Sequence, residues 1–444
     1  MNLSFAALSL AAVLACSPAQ AHSGPFDTSF GDGGVRNYGF QPAAGQAGDS
    51  ARAGCPGPGN TFVVIGAASG GSRIVTLRLK PDGSLDPAFS DDGKESFAFV
   101  ADYASHAPAV CLPQGDAVIV SSVTAPSGEQ NLRLVKVGRD TGLPVASFGN
   151  GGVVDLDLDL YIAGLDKAEA PVGLNVLDNG DLVVTGYVST PIQPTAGFAA
   201  LLDATGQVRA AKIVDCWIAS TAIESPQGAL WVFGTDGFDG CRLTVNRATL
   251  APTARLVGAE AQVESLVPGA ARTVRGDTVA MAATMTTAGV SGVQGALVVF
   301  RGNSISTMAL PVIDSRSFLR SGISYPAVQI LPGGRVLYGS SATHIASGQA
   351  LGMYFALARI GRSAAEDRLD AAFGGGGAQP AYWQPATPNC GPDAPRQWLS
   401  RMTQWLGRPA FVGKADAACL GTNASEDYLV GRVETNYLFG DGLD

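Results

Sequence analysis

The chain has 444 residues, 46% of them hydrophobic and only 15% charged, with 57 glycines and 26 prolines spread along its length. That apolar content excludes bulk disorder, which requires few apolar residues and a high net charge. The formal charge of −9, with no clustering of Lys and Arg, excludes the basic patch on which nucleic-acid binding relies.

The first 21 residues, MNLSFAALSLAAVLACSPAQA, read as a secretory signal peptide. Phe5 to Ala15 form its apolar core, and Ala19-Gln20-Ala21 supplies a small-x-small cleavage pattern, so the mature chain is expected to start at His22. Lipid attachment at Cys16 is the alternative, disfavoured by the bulky Leu14 just before it. Beyond the signal no apolar run approaches the ~20 residues needed to span a bilayer. The expectation is an exported monomer, periplasmic or secreted.

Cleavage leaves Cys55, Cys111, Cys216, Cys241, Cys390 and Cys419, and cysteines in an exported chain point to disulfides. Sequence neighbours are the simplest pairing: Cys55–Cys111, Cys216–Cys241 and Cys390–Cys419. None lies in a Cys-x-x-Cys pair and few His are near, which disfavours zinc.

From residue 26 onward three signals recur in a fixed order. A glycine opens a short apolar run seven times: GNTFVVIG, GDAVIVSS, GDLVVTG, GALWVFG, GDTVAMAA, GRVLYGS and GRPAFVGK. A second apolar run follows each, as in RIVTLRLKPDG, where alternation along the run is the period of a strand. The third signal is a turn-rich phrase whose Phe falls at Phe30, Phe89, Phe148 and Phe373. The first three are spaced at 59 residues, and the fourth fits a slightly shorter period with worn-down copies between. Several short strands per unit at such a period are the signature of propeller blades.

In the phrase, Asp82-Gly83 supplies a tight turn, while Leu85 and Phe89 are expected to plug the seam between units. Glycines then bend the chain into outer strands VRNY, ESFAF and VVDLDL. A recurrent basic residue, Arg78, Lys136, Arg359 and Arg432, ends the third strand and is expected to pair with an Asp of the phrase. The chain opens on a copy of the phrase before any first unit, and the seventh unit lacks its own. The sequence therefore predicts an all-β fold over 22–436, a seven-bladed β-propeller closed by the N-terminal segment, which removes exposed sheet edges. A short tail, 437–444, follows.

The copies SLDPAFSDDGKESF, FDTSFGDGGV and RLDAAFGGGG resemble the delta-60 repeat of exported and surface proteins of bacteria. LPVASFGNGGV matches partially, with Val145 where the repeat has Asp, and the match is lost from about 160 to 350. The resemblance implies a propeller-like fold and no established activity, so it assigns no catalytic residue. The terminal NYLFGDGLD is similar to a Phe-x-Asp-Gly-Phe-Glu tail ending many exported proteobacterial proteins, with Leu443 and Asp444 in the last two places. That likeness implies a sorting tag, against the alternative of a frayed terminus.

Candidate chemistry is sparse. Asp155, Asp157 and Asp159 in DLDLDL offer the oxygen ligands that Ca²⁺ takes, yet along a strand they would lie about 7 Å apart. A solvated acidic edge strand is therefore expected there, and a plain turn at DGFDG, 236–240. No cofactor is expected, calcium being the one ion considered. Of the three histidines, His22, His106 and His344, the first falls at the mature terminus and the second precedes an inner strand. Segments entering the inner strands, carrying His106, Glu169, Glu224, Glu264 and Tyr325, form the candidate binding face. The sequence thus supports a non-catalytic binding or scaffold propeller for a protein or glycan partner. The alternative is a propeller glycan hydrolase or lyase with carboxylates at the central funnel.

Overall fold

Every glycine-led apolar run forms the second strand of a small antiparallel sheet, and there are seven such sheets. The computed structural model describes residues 24–40, 49–68, 72–99, 107–162, 168–189, 194–236, 239–258, 263–286, 293–311, 326–343, 350–374, 376–381, 397–416 and 426–434. Blade one runs Ser50–Pro56, Phe62–Ala68, Arg73–Leu79 and Lys94–Ala98, from axis to rim. Blade two follows with Ala109–Cys111, Ala117–Thr124, Gln130–Val137 and Val153–Leu156. Blade three is Ala168–Val176, Leu182–Ser189, Pro194–Leu202 and Val208–Val214, and blade four Ile218–Glu224, Leu230–Asp236, Asp239–Val245 and Pro252–Gly258. Blades five and six begin at Val263–Arg275 and Ala327–Leu331. First strands of successive blades touch around the whole circle, blade seven's Gln397–Trp405 meeting blade one's Ser50–Pro56.

Blade faces are buried on both sides, which explains why the second strands read as continuous apolar runs. In Leu182–Ser189, Leu182 and Val184 join the core shared with blade two, while Val183 between them joins the core shared with blade four. Successive side chains point to opposite faces of a strand, so each blade glues two seams.

The ring closes as the sequence predicts. Val35–Tyr38 is the outermost strand of blade seven, pairing with Glu426–Arg432 in the register Val35↔Gly431 to Tyr38↔Tyr428. The first and last described segments meet inside one corner loop, where Phe26 bridges Val433 and the Glu434 N–H donates to the Pro25 carbonyl at 2.8 Å.

The turn-rich phrase is that corner, and its geometry repeats. Phe30, Phe89, Phe148 and Phe373 are all buried. The glycine four residues on (Gly34, Gly93, Gly152, Gly377) donates its N–H to the Phe carbonyl at 2.7–2.9 Å. Each ring packs on the next unit: a Cβ added to Gly83, Gly142 or Gly206 would lie within 2.6–3.0 Å of Phe30, Phe89 or Phe148 respectively. The residue after each Phe has positive φ, +55° at Gly31, +51° at Ser90, +55° at Gly149 and +58° at Gly374. Ser90 thus holds a conformation that favours glycine.

Expected ion pairs are present with one instructive exception. Arg78 Nε lies 2.7 Å from Asp86 Oδ2, Arg432 Nε 2.7 Å from Asp27 Oδ2 and Arg359 Nε 3.4 Å from Asp370 Oδ2. Lys136 instead meets Asp116 at 3.4 Å, because Val145 occupies the place of the Asp. Two disulfides form as paired by sequence order, Cys55–Cys111 joining the first strands of blades one and two, and Cys216–Cys241 within blade four. Cys390 and Cys419 lie outside the described residues, as do the signal segment with Cys16, His22, His106, Tyr325, His344 and the tail 437–444.

One expectation is overturned. DLDLDL is not a single strand: the outer strand ends at Leu156, and Leu158–Leu160 forms a 3-10 turn. Leu158 is fully buried, and Asp157 caps the turn by accepting the Asp159 N–H at 3.0 Å. Burying Leu158 under the blade, and satisfying the freed backbone N–H with the Asp157 carboxylate, outweighs continued pairing at the rim.

Candidate functional site

Adjacent inner strands run side by side with like ends together. Asn175 Oδ1 of blade three accepts from the Thr221 hydroxyl at 2.8 Å and the Ala222 N–H at 3.2 Å in blade four. At the strand exits, the Asp178 N–H donates to Glu224 Oε2 at 2.7 Å, and Glu224 Oε1 lies 2.5 Å from Arg247 Nη1. These bonds frame an axial cavity of about 510 Å³, lined by Val110, Asn175, Asp178, Ile223, Glu224 and Arg401 among others. Val110 and Arg401 also line a neighbouring cavity of about 190 Å³ against Gly54 and Met402.

Arg401 is the residue sequence reading missed. It belongs to blade seven, yet its Nη1 donates to the Ala109 carbonyl of blade two at 2.7 Å, spanning the first strand of blade one. A bulge in Gln397–Trp405, between Leu399 and Arg401, sets its direction. Inner strands of blades one, three, four and five carry bulges at similar positions. Their recurrence, invisible as a motif in SRMTQW, is what shapes the lining.

The expected binding face is divided by the structure. Glu169 is the second residue of Ala168–Val176, at the entry to blade three, whereas Glu224 is the last residue of Ile218–Glu224. Because inner strands are co-aligned, the two carboxylates face opposite ends of the ring rather than one. A glutamate near the boundary of an apolar run does not reveal whether it enters or leaves the strand, which is why the sequence grouped them. Glu264 occupies the bulge between Val263 and Ser265 in blade five, its side chain not being among those described.

At the entry end, Glu169 is fully buried, and its Oε1 accepts the Leu158 N–H at 2.7 Å. Burial pushes its carboxyl up to about 8; that hydrogen bond opposes the shift, and the charges of Asp157, Asp159 and Glu129 add to it. The 3-10 turn brings Asp157 and Asp159 to Glu169, one ligand oxygen from each lying within 4.8 Å of the others. Asp155 stays on the outer strand, clasped by Arg133 through Nε–Oδ1 at 2.6 Å and Nη2–Oδ2 at 2.8 Å. Of the residues 236–240, Asp236 pairs with Asp239 between the second and third strands of blade four and forms an ion pair with Arg255.

No protein-family model and no curated protein sequence matches the chain. Among solved structures it is similar to an ulvan lyase, a polysaccharide lyase bound to a saccharide of glucuronic acid and sulfated rhamnose. The TM-score is 0.50 at 10% identity, over 90% of this chain and 96% of that one. Virginiamycin B lyase from Staphylococcus aureus aligns with a TM-score of 0.47 at 9% identity, covering 89% and 98% of the two chains. BamB from Moraxella catarrhalis aligns at 0.40 and 12%, covering 88% and 100%. At these identities likeness speaks for fold alone. The class that the ring of sheets defines is a seven-bladed β-propeller.

Proposed function

We propose that the protein is an exported, non-catalytic binding propeller whose axial cavity takes a polar segment of a glycan or peptide. The observation that carries this reading is the commitment of Glu224, one of the two acidic residues that line the cavity. Glu224 is held by Arg247 and by the Asp178 N–H, so it works as a strut between blades three and four. A general acid or base must instead be directed at a substrate proton. Val110 and Ile223 supply apolar walls, while Asn175, Asp178 and Arg401 supply donors and acceptors around them, the mixture that orients a polar ligand. Export is supported by two disulfides, since such bonds persist in oxidising compartments. Among the described residues no helix is long and apolar enough to cross a membrane.

The test uses the mature chain against an array of envelope glycans and peptides, with Arg401→Gln and Asn175→Ala as variants. Both variants are expected to weaken capture by about tenfold or more, each lost polar contact being worth about 1–3 kcal/mol, with the far-UV spectrum retained. Capture that is indifferent to both substitutions rejects the axial cavity. Release of shortened products from any captured glycan rejects the non-catalytic reading.

A further inference from the structure

On the entry end of the ring, away from the axial cavity, the junction of blades two and three holds a group with no role in the binding reading. Its members are Asp157, at the cap of the 3-10 turn, Asp159 within that turn, and Glu169 on the first strand of blade three. Buried carboxylates ordinarily persist only when paired or fully hydrogen-bonded. Glu169 meets neither condition: its Oε1 accepts one backbone N–H, and its Oε2 is enclosed without a hydrogen-bond partner. The charges that act on it, from Asp157, Asp159 and Glu129, are all negative. Glu169 is moreover fixed in place, its carbonyl receiving the Ser122 hydroxyl of blade two at 2.9 Å.

We propose that Asp157, Asp159 and Glu169 form a Ca²⁺ site that pins the crossing from blade two to blade three. The donor set is all carboxylate oxygen, which suits a hard cation and not zinc or copper. Ca²⁺ accepts irregular sets of carboxylate oxygens, whereas Mg²⁺ demands near-ideal octahedral geometry and keeps several of its waters. One oxygen from each carboxylate falls within 4.8 Å of the other two, a cluster that a single Ca²⁺ can bridge. Asp157 and Asp159 are half-exposed, so water can complete the six to eight ligands that Ca²⁺ takes. The ion would meet the Glu169 carboxylate and stabilise its ionised form, which burial and the neighbouring carboxylates otherwise disfavour. It would also tie the turn Leu158–Leu160 to the first strand of the next blade.

The experiment is calorimetric titration of the chelator-stripped mature chain with CaCl2 and, separately, MgCl2, together with melting curves. One Ca²⁺ per chain is expected, with a melting temperature that rises with Ca²⁺ concentration, as binding to the folded state requires. Glu169→Gln keeps the acceptor for the Leu158 N–H and removes the charge, and should weaken Ca²⁺ binding by about tenfold or more. Asp159→Asn, on the half-exposed turn, should do the same and serves if Glu169→Gln does not fold. Absence of stoichiometric binding to the native chain overturns the site. So does undiminished binding in both variants, and so does a preference for Mg²⁺. Because the readout is metal uptake at the entry end, its failure leaves the ligand array on Arg401 standing, and the reverse.

Discussion

Arg432 and Asp27, 405 positions apart in the chain, share a buried ion pair with Nε 2.7 Å from Oδ2. Ser29 adds a hydroxyl to Asp27 at 2.6 Å and Arg408 a second ion pair, so the carboxylate is saturated where the closing strand joins blade seven. Removing one member of a buried pair strands the other's charge and costs about 3–5 kcal/mol. Asp27→Ala is therefore expected to lose stability on that scale in denaturant melts. Deleting residues 22–38, which takes away the whole outer strand of blade seven, should lower the melting temperature further. A melt unchanged by the deletion would mean that the ring does not depend on its closing strand.

The seams rest on a ring against a glycine. Phe89 is fully buried against blade two, and a Cβ on Gly142 would sit 2.6 Å from its ring and 2.3 Å from Thr76 Oγ1. Phe89→Ala should cost about 3–5 kcal/mol through the cavity it leaves. Gly142→Ala should also destabilise, since φ there is +71° and the added methyl has nowhere to go. Combining the two tests the contact. With the ring gone, the glycine substitution should cost less than it does alone, and strict additivity would show that the two residues do not act together.

Ser90 is the one corner residue of its kind that is not glycine. At φ +51° a side chain costs about 1 kcal/mol, partly offset by the exposed bond from its hydroxyl to Glu95 Oε2 at 2.6 Å. Ser90→Gly is expected to stabilise by about 0.5 kcal/mol. The reverse change at the matching site, Gly149→Ser, meets the Val153 carbonyl at 2.2 Å and should destabilise by more than 1 kcal/mol. Equilibrium unfolding in urea of both variants settles the sign.

These corner residues also show what the sequence can carry. Phe30, Phe89, Phe148 and Phe373 were legible because one geometry demands one residue pattern, a large ring followed by positive-φ positions. Cys55–Cys111 was legible because neighbouring blades place equivalent strands side by side. Lys136 shows where legibility ends: with Val145 in place of the Asp it takes Asp116, a partner from a different loop. The acidic group was hidden for a similar reason. Period-two alternation through DLDLDL reads as strand, and only tertiary burial of Leu158 folds Asp157 and Asp159 toward Glu169. Arg401 depends on a bulge, and a bulge in one strand leaves no pattern in sequence.

Disulfide reduction should be felt unequally. In a loop-entropy account, closing the 56-residue separation of Cys55–Cys111 is worth about 4 kcal/mol and the 25-residue separation of Cys216–Cys241 about 3.5 kcal/mol. Cys55→Ala with Cys111→Ala is expected to lower the unfolding free energy by about 2–4 kcal/mol, and to remove most of the response to dithiothreitol at the blade one–two seam. An equal response to reductant in that double variant would mean that the bond does not hold the seam.

Acid should loosen the closure through Asp27. Burial alone would raise its carboxyl, but hydrogen bonds from Ser29 and Arg408, and the charge of Arg432, outweigh that and hold it below the usual carboxylate range. A folded-state value below the unfolded one means that the contribution is present above the unfolded value, and is lost as pH falls through the folded one. The loss is therefore expected below about pH 4, the ordinary aspartate value. Asp427, on the adjoining strand, is pushed up by burial, against its bond from Asn37 and the charge of Lys94, so it contributes with the opposite sign. Comparing the native chain with Asp27→Asn separates the two: the difference in unfolding free energy should be constant from pH 7 to about pH 5 and shrink below about pH 4. A difference that stays constant down to pH 2 would show that the Asp27 carboxyl titrates alike in the folded and unfolded chains, so that the ion pair does not favour its charged form.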